Sequence, residues 1–420
     1  MRLQLCLHGV LARRVTNDQA VPFLAPGFGV HTVKESPTTA SGLHRVACGN
    51  PQQWLYLLGD DGVVYSEVNN RFAGLDAAGV SAFRAFDAGA ALEDLDGPRV
   101  VGGDASTSYE GLKAVYDLSR GIFPAENAPA QWPPFQSSKW SDTAIANIEI
   151  DGIPVSLQYP PGPLASLCQD YFRNCVITER PPRCCLSAQQ AEDGWAIYVN
   201  GVEFLPSLQE RQLGLGLLHA ARSLLYAQGD YDVAFHAAMV AHDNFGIMLS
   251  APRECGKSTL AVHLVTQGFD LLADEPALLN FDTWSIRSLH LPVSLKQESW
   301  PTLQQHWPAL SGSPVHIRSD GTKIRLAHPP EERYSSRARP ITHIVFPHYG
   351  AASGAQVESI SPFRTLCFLN NGGMLFARHI ARDGFENFLK FVCFTPAYRI
   401  HYSSLQEADR MLREIGCFAA

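Results

Sequence analysis

At 420 residues the chain is too long for one ordinary domain, and its 46% apolar and 10% aromatic content is that of a folded protein with a sizeable core. The formal net charge of −8 leaves no overall basic footprint, which argues against nucleic acid as the partner. No segment approaches the roughly 20 uninterrupted apolar residues of a membrane helix, so no membrane role is expected. The start is apolar from Leu3 to Leu11, but Arg13 and Arg14 follow that run rather than precede it. This is not the order of a signal peptide, and the sequence predicts a cytoplasmic protein. None of the ten cysteines forms a Cys-x-x-Cys pair, and Cys184 and Cys185 are adjacent, so reduced structural thiols are expected rather than a metal site.

Taken in chain order, Trp54–Leu58 and Val63–Val68 are β-like runs separated by Gly59-Asp60-Asp61-Gly62, which predicts a hairpin. A helix is predicted from Asp76, burying Val80, Phe83 and Phe86 and closing at Gly89. A second helix from about Ser108 would bury Leu112, Val115, Tyr116 and Leu118. Strands followed by small helices describe a small winged-helix-like α+β domain over 1–124, with extra N-terminal strands. Pro124, Pro129, Pro133 and Pro134 then mark an extended linker over 125–141.

From 142 to 420 the pattern is α/β. Strands are predicted at Ile148–Ile150, Val155–Tyr159 and Trp195–Val199, and helices at Leu213–Tyr226 and Leu405–Ile415. The informative stretch begins with a strand, Phe245–Ser250, continues through a loop, and enters a helix that ends at Gly268. Ala251-Pro252-Arg253-Glu254-Cys255-Gly256-Lys257-Ser258 fits the phosphate-binding P-loop pattern with Ala in place of the first Gly. Loop N–H groups and the helix N-terminus would face the phosphates. Gly256 permits close backbone approach, Lys257 neutralises phosphate charge, and Ser258 can hold Mg²⁺. Thr259 continues the motif. Glu254 stands where Gly is common, adding negative charge and a backbone strain cost that Arg253 could offset in charge. One strand further on, Asp274 and Glu275 form a carboxylate pair suited to proton transfer and metal support. His236, just before Ala237-Ala238-Met239-Val240, could orient a phosphate or a substrate.

The run from His236 through Gly256-Lys257-Ser258-Thr259 to Gly268-Phe-Asp-Leu-Leu-Ala-Asp274-Glu275 resembles the HPr kinase/phosphorylase family and its related kinases. The likeness extends to Leu291–Lys296, His328-Pro-Pro330 and Arg339–Pro347. It implies an α/β P-loop kinase domain of HPr-kinase type, with ATP and Mg²⁺ bound at 251–259. By the resemblance Lys257 and Ser258 bind phosphate and metal, Asp274 is the base, and Glu275 supports the metal. The loop lacks the family's glycines at Ala251 and Glu254. The segment from Trp54 to Phe123 resembles PqqD-type peptide-recognition domains, on Asp61–Asn69, the Leu75–Phe86 helix with Asp87-Ala-Gly89, and Leu92/Leu95. Such domains add a leader peptide as an extra strand.

Together these features predict an ATP-dependent kinase acting on a Ser or Thr hydroxyl of a ribosomally made precursor peptide. Its leader would be held at residues 54–123, the protein would be a homo-oligomer, and it would work with partner modification enzymes. Two alternatives remain: a non-catalytic peptide-binding scaffold with a degenerate or regulatory nucleotide site, and a small-molecule kinase. Lys296 and Arg339 are outlying candidates for phosphate or substrate contacts.

Overall fold

The computed structural model describes residues 43–68, 70–91, 109–122, 132–134, 144–252, 254–318, 320–335, 337–350, 354–376 and 380–416. The chain is mixed α/β with several sheets and divides into two compact units. Among the described residues no helix is long and apolar enough to cross a membrane.

The first unit comprises 1–128, 360–371 and 378–394. Its sheet is an antiparallel run of four strands, Leu43–Ala47, Gln53–Leu58, Asp61–Ser66 and Arg71–Leu75. The expected hairpin forms with Leu58 opposite Asp61, and Gly59 takes the positive φ of 73° that the tight turn needs. Asp76 caps the helix Ala77–Asp87 by accepting the Gly79 N–H at 2.8 Å, and Val80, Phe83 and Phe86 are buried. A second helix, Tyr109–Ser119, adds Val115 and Leu118 to the same core.

The sequence pattern predicts one domain from 142 to the end, and here the structure differs. Two later helices, Pro362–Gly373 (up to Asn371) and Arg382–Phe394, belong with the first unit. Phe385 explains why. Its ring stacks on Tyr65 at 4.1 Å and tilts against Tyr56 and Phe72, so it covers aromatic surface that the N-terminal strands cannot bury alone. Glu386 pairs with Arg45 at 2.7 Å, and the Tyr65 hydroxyl donates to the Ile380 carbonyl. Leu92 and Leu95 lie outside the described residues, as does most of the expected linker. The described linker residues pack on the second unit: the Trp132 ring meets Phe204 edge-on, and the Pro133 carbonyl accepts from Asn200 Nδ2 at 2.8 Å.

The second unit holds two six-stranded sheets and smaller ones. The sheet that carries the loop runs in the order Asp270–Asp274, Ala237–His242, Phe245–Ser250, His343–Tyr349, Ala397–Tyr402 and Gln356–Ser359. Only the contacts of His343–Tyr349 with Phe245–Ser250 and with Ala397–Tyr402 are parallel. The helix Lys257–Thr266 buries Leu260, Ala261, Val262, Leu264 and Val265 against this sheet. Leu405, Ala408, Met411 and Leu412, from the helix Leu405–Glu414, complete the cluster. Burial of each large apolar side chain contributes about 1.5–3 kcal/mol, and such burial on both flanks holds the loop between strand and helix.

Candidate functional site

The loop 251–256 joins the buried strand Phe245–Ser250 to the helix Lys257–Thr266, as the sequence pattern expects. Gly256 caps the helix at φ 92°, and no side chain caps the helix start. A Cβ there would come within 3.0 Å of the Tyr402 hydroxyl and 3.4 Å of Tyr349 Cβ, so close approach as well as φ favours glycine. An N-terminus without a side-chain cap leaves first-turn N–H groups for an anion.

Lys257 is 8% exposed and folds back, its Nζ donating to the Ala251 carbonyl at 2.6 Å and the Pro252 carbonyl at 3.1 Å. Ala251 is buried, Pro252 and Glu254 are exposed, and Cys255, Ser258 and Thr259 are half-buried. Burial pushes the Cys255 thiol up, although Lys257 and Arg399 oppose the shift. Arg253 lies outside the described residues. Glu254 adopts φ 72°, the left-handed conformation expected to strain a non-glycine residue. Its carboxylate meets Lys296 Nζ at 2.7 Å, so Lys296, from the strand Val293–Lys296, offsets its charge.

The loop and the carboxylate pair meet directly. Ser258 Oγ donates to Asp274 Oδ1 at 2.8 Å, and the Ser294 N–H donates to Asp274 Oδ2 at 3.3 Å. Arg222, on the helix Leu213–Gln228, donates from Nη2 to the Asp274 carbonyl at 3.2 Å. Burial raises the Asp274 pKa, with Arg222 and the Ser258 hydrogen bond acting against it and Glu275 adding to it.

Glu275 has the opposite character. Burial would raise its pKa, but the His236 hydrogen bond and the charges of His236, Arg222 and Lys257 outweigh burial and hold it at about 2. His236 Nδ1 lies 2.9 Å from Glu275 Oε1. The His236 backbone N–H donates to the Gly373 carbonyl at 2.8 Å, which fixes this residue at the junction of the strands Val233–Phe235 and Ala237–His242.

Ser258 thus meets Asp274 and His236 meets Glu275, the two carboxylates are adjacent in the chain, and the Lys257 charge acts on Glu275. Arg339 does not join these contacts: it lies 3.7 Å from Asp270, at the far end of the strand that ends in Asp274. Sequence reasoning missed Arg222 and Ser294, whose approach depends on tertiary contacts without a local motif.

The ATP and Mg²⁺ implied by the family resemblance can be tested against these donors. The Ser258 hydroxyl with the Asp274 and Glu275 carboxylates is an all-oxygen set, and Mg²⁺ commonly takes one or two carboxylates plus phosphate oxygens and water. The residues fit that group. Among the described residues no cluster of three or more His, Cys, Asp or Glu could hold a metal ion. No protein-family model matches the chain, and no curated protein matches it.

Proposed function

We propose that the second unit is an ATP-dependent phosphotransferase that uses the loop 251–258 to hold the triphosphate. The observation that carries this reading is the 2.8 Å hydrogen bond from Ser258 to Asp274, which joins the start of the loop helix to the end of the neighbouring strand. That junction of hydroxyl and carboxylate is what a phosphate-and-metal site requires. Lys257 releases its loop carbonyls to meet phosphate oxygens. Asp274 accepts the proton of the attacking hydroxyl as a carboxylate, made more basic by the burial that raises its pKa. Glu275, held ionised by His236, supports the metal. Mg²⁺, when bound, supplies charge neutralisation at the phosphates. Environments that push two adjacent carboxylates apart in pKa commonly separate an acid–base role from a permanently charged one.

The acceptor in this proposal is a Ser or Thr hydroxyl of a ribosomal precursor peptide. The reading is supported by the first unit, whose Leu43–Ala47 strand pairs on one side only among the described residues and can accept an added strand. Glu254 favours a second reading, a scaffold with a regulatory nucleotide site, because its carboxylate sits on the loop that would meet phosphate. Calorimetry with Mg-ATP on wild type and Lys257→Ala separates loop binding from none. Mass spectrometry of Ser- and Thr-containing peptides incubated with protein and ATP then separates transfer from scaffolding. Equal binding by both proteins removes the loop assignment, while tight binding without transfer favours the scaffold.

A further inference from the structure

We propose that Tyr349 is the platform on which the base of the bound nucleotide stacks, with Tyr402 as its buried support. The inference rests on the phosphotransfer reading and deepens it, because the loop pattern accounts for phosphates and leaves the nucleoside end without a partner.

The order of the strands gives the loop two unlike sides. On one side of Phe245–Ser250 lie Ala237–His242 and then Asp270–Asp274, which ends in the carboxylate that meets Ser258. On the other side lie His343–Tyr349 and then Ala397–Tyr402, joined to the loop strand and to each other by parallel pairing. Parallel strands end at the same edge of a sheet, so these two run toward the edge from which the loop departs. The register sets Leu249 opposite Val345, which carries Pro347–Tyr349 past the level where the loop strand ends.

The two tyrosines stand beside the last residue of the loop. A Cβ built on Gly256 would lie 3.0 Å from the Tyr402 hydroxyl and 3.4 Å from Tyr349 Cβ. Tyr349 and Tyr402 are Cα partners, so their side chains share one face of the sheet. Tyr402 packs in one cluster with Leu260, Ala261 and Leu264, so this is the face that the helix Lys257–Thr266 covers. The rings meet edge to face, with centroids 5.7 Å apart and planes at 63°. The Gly350 N–H donates to the Tyr402 carbonyl at 3.0 Å, which pins the backbone just beyond Tyr349. Yet the two rings differ in exposure: Tyr402 is 1% exposed and Tyr349 is 57% exposed.

One exposed tyrosine is common on a protein surface, and position is what assigns a ligand to this one. A nucleotide whose terminal phosphate lies at Ser258 and Asp274 has its nucleoside end on the side of the loop away from the carboxylates. That side carries Tyr349. Every base has a π-face that stacks on an aromatic ring whatever groups its edge carries, so the platform adds affinity for the nucleoside. No bond forms or breaks at this subsite.

The test uses the full chain, with calorimetry of Mg-ADP and with Mg-pyrophosphate read as its competitor. Tyr349→Ala should weaken Mg-ADP by about 5- to 100-fold, the range for truncation of a ring that stacks on a base. Its affinity for Mg-pyrophosphate, which has no base, should stay within about twofold of wild type. Tyr349→Phe keeps the ring and should bind both probes as wild type does. Wild-type affinity of Tyr349→Ala for Mg-ADP would overturn the platform and leave the phosphotransfer reading intact. An equal loss for both probes would also overturn it, since the ring would then only shape the loop. Failure of the wild-type protein to bind Mg-ADP would instead remove the phosphotransfer reading, and the platform with it. Should Tyr349→Ala not fold, Tyr349→Leu keeps apolar bulk without a π-face and decides the matter by the same comparison.

Discussion

Replacing Glu254 with glycine should leave stability almost unchanged while tightening nucleotide binding. Glu254 holds φ 72°, and a left-handed non-glycine residue costs roughly 1–2 kcal/mol. Glycine's greater freedom in the unfolded chain takes back about 0.5–1 kcal/mol of that gain. Loss of the pair with Lys296, whose members are 77% and 35% exposed, removes roughly 0.2–1 kcal/mol. These contributions cancel to within about 1 kcal/mol. Affinity is different, because the substitution removes a carboxylate and releases Lys296, leaving the loop one charge more positive. Opposite unit charges ~4 Å apart in water attract by about 1 kcal/mol, so Mg-ADP should bind about fivefold tighter, and less so at high salt. Denaturant melts give the stability, and calorimetry at two salt concentrations gives the affinity. Lys296→Met should weaken binding, and the double variant should return close to wild type. Weaker Mg-ADP binding by Glu254→Gly would refute placement of the anion at this loop. A stability loss above about 2 kcal/mol would refute the reasoning from backbone strain.

Asp274→Asn keeps the shape that receives Ser258 and removes a carboxylate whose folded pKa burial has raised. A melt should therefore show a Tm no lower than wild type, while ATP turnover falls by about 10²–10⁴. Gly246→Ala should lower stability by about 1–3 kcal/mol in the same melt, because overpacking forces the strand aside. The added Cβ would overlap the Pro340 carbonyl oxygen and lie 2.6 Å from Met239 Cε. For His328, burial lowers the pKa from 6.5 to about 4, with Arg173 adding to the shift and Asp170 opposing it. The unfolded chain then binds the extra proton first, so this stabilisation is full above pH 6.5 and is lost as pH falls toward 4. His328→Leu should flatten the acid limb of the stability profile, by up to about 3 kcal/mol.

The parts of the site that could be read from sequence are those that local geometry enforces. A strand, a glycine at φ 92° and a buried helix follow one another within the span 245–266, so their order alone sets where Lys257 and Ser258 stand. The strain at Glu254 was legible for the same reason, since the requirement for positive φ is a property of one position. Asp274 was legible because it ends the strand that follows the loop helix in sequence, a strand that pairs with Ala237–His242, the direct neighbour of the loop strand. Arg222 was not. It reaches the Asp274 carbonyl across 52 residues of sequence, from a helix whose pattern signals only burial. Lys296 was legible as an outlying cation, but its partner, 42 residues away, could not be found from spacing.

The first unit shows the same division at a larger scale, and it changes how peptide binding should be tested. Its hairpin and capped helix are local, yet its aromatic core is closed by a segment that the chain reaches more than 300 residues later. Tyr56, Tyr65 and Phe72 all meet Phe385, and the Arg45–Glu386 pair spans 341 positions. A fragment ending at residue 124 would keep the edge strand Leu43–Ala47 but uncover those rings, and an apolar patch of that kind invites self-association. Such a fragment should therefore aggregate or melt well below the full chain. A longer fragment, with residues 360–394 joined to it by a flexible linker, should recover a cooperative transition. Analytical ultracentrifugation and thermal melts compare the two directly. Equal, monomeric stability of the short fragment would show that Phe385 contributes nothing essential to the unit, and would return the peptide-binding test to the N-terminal residues alone.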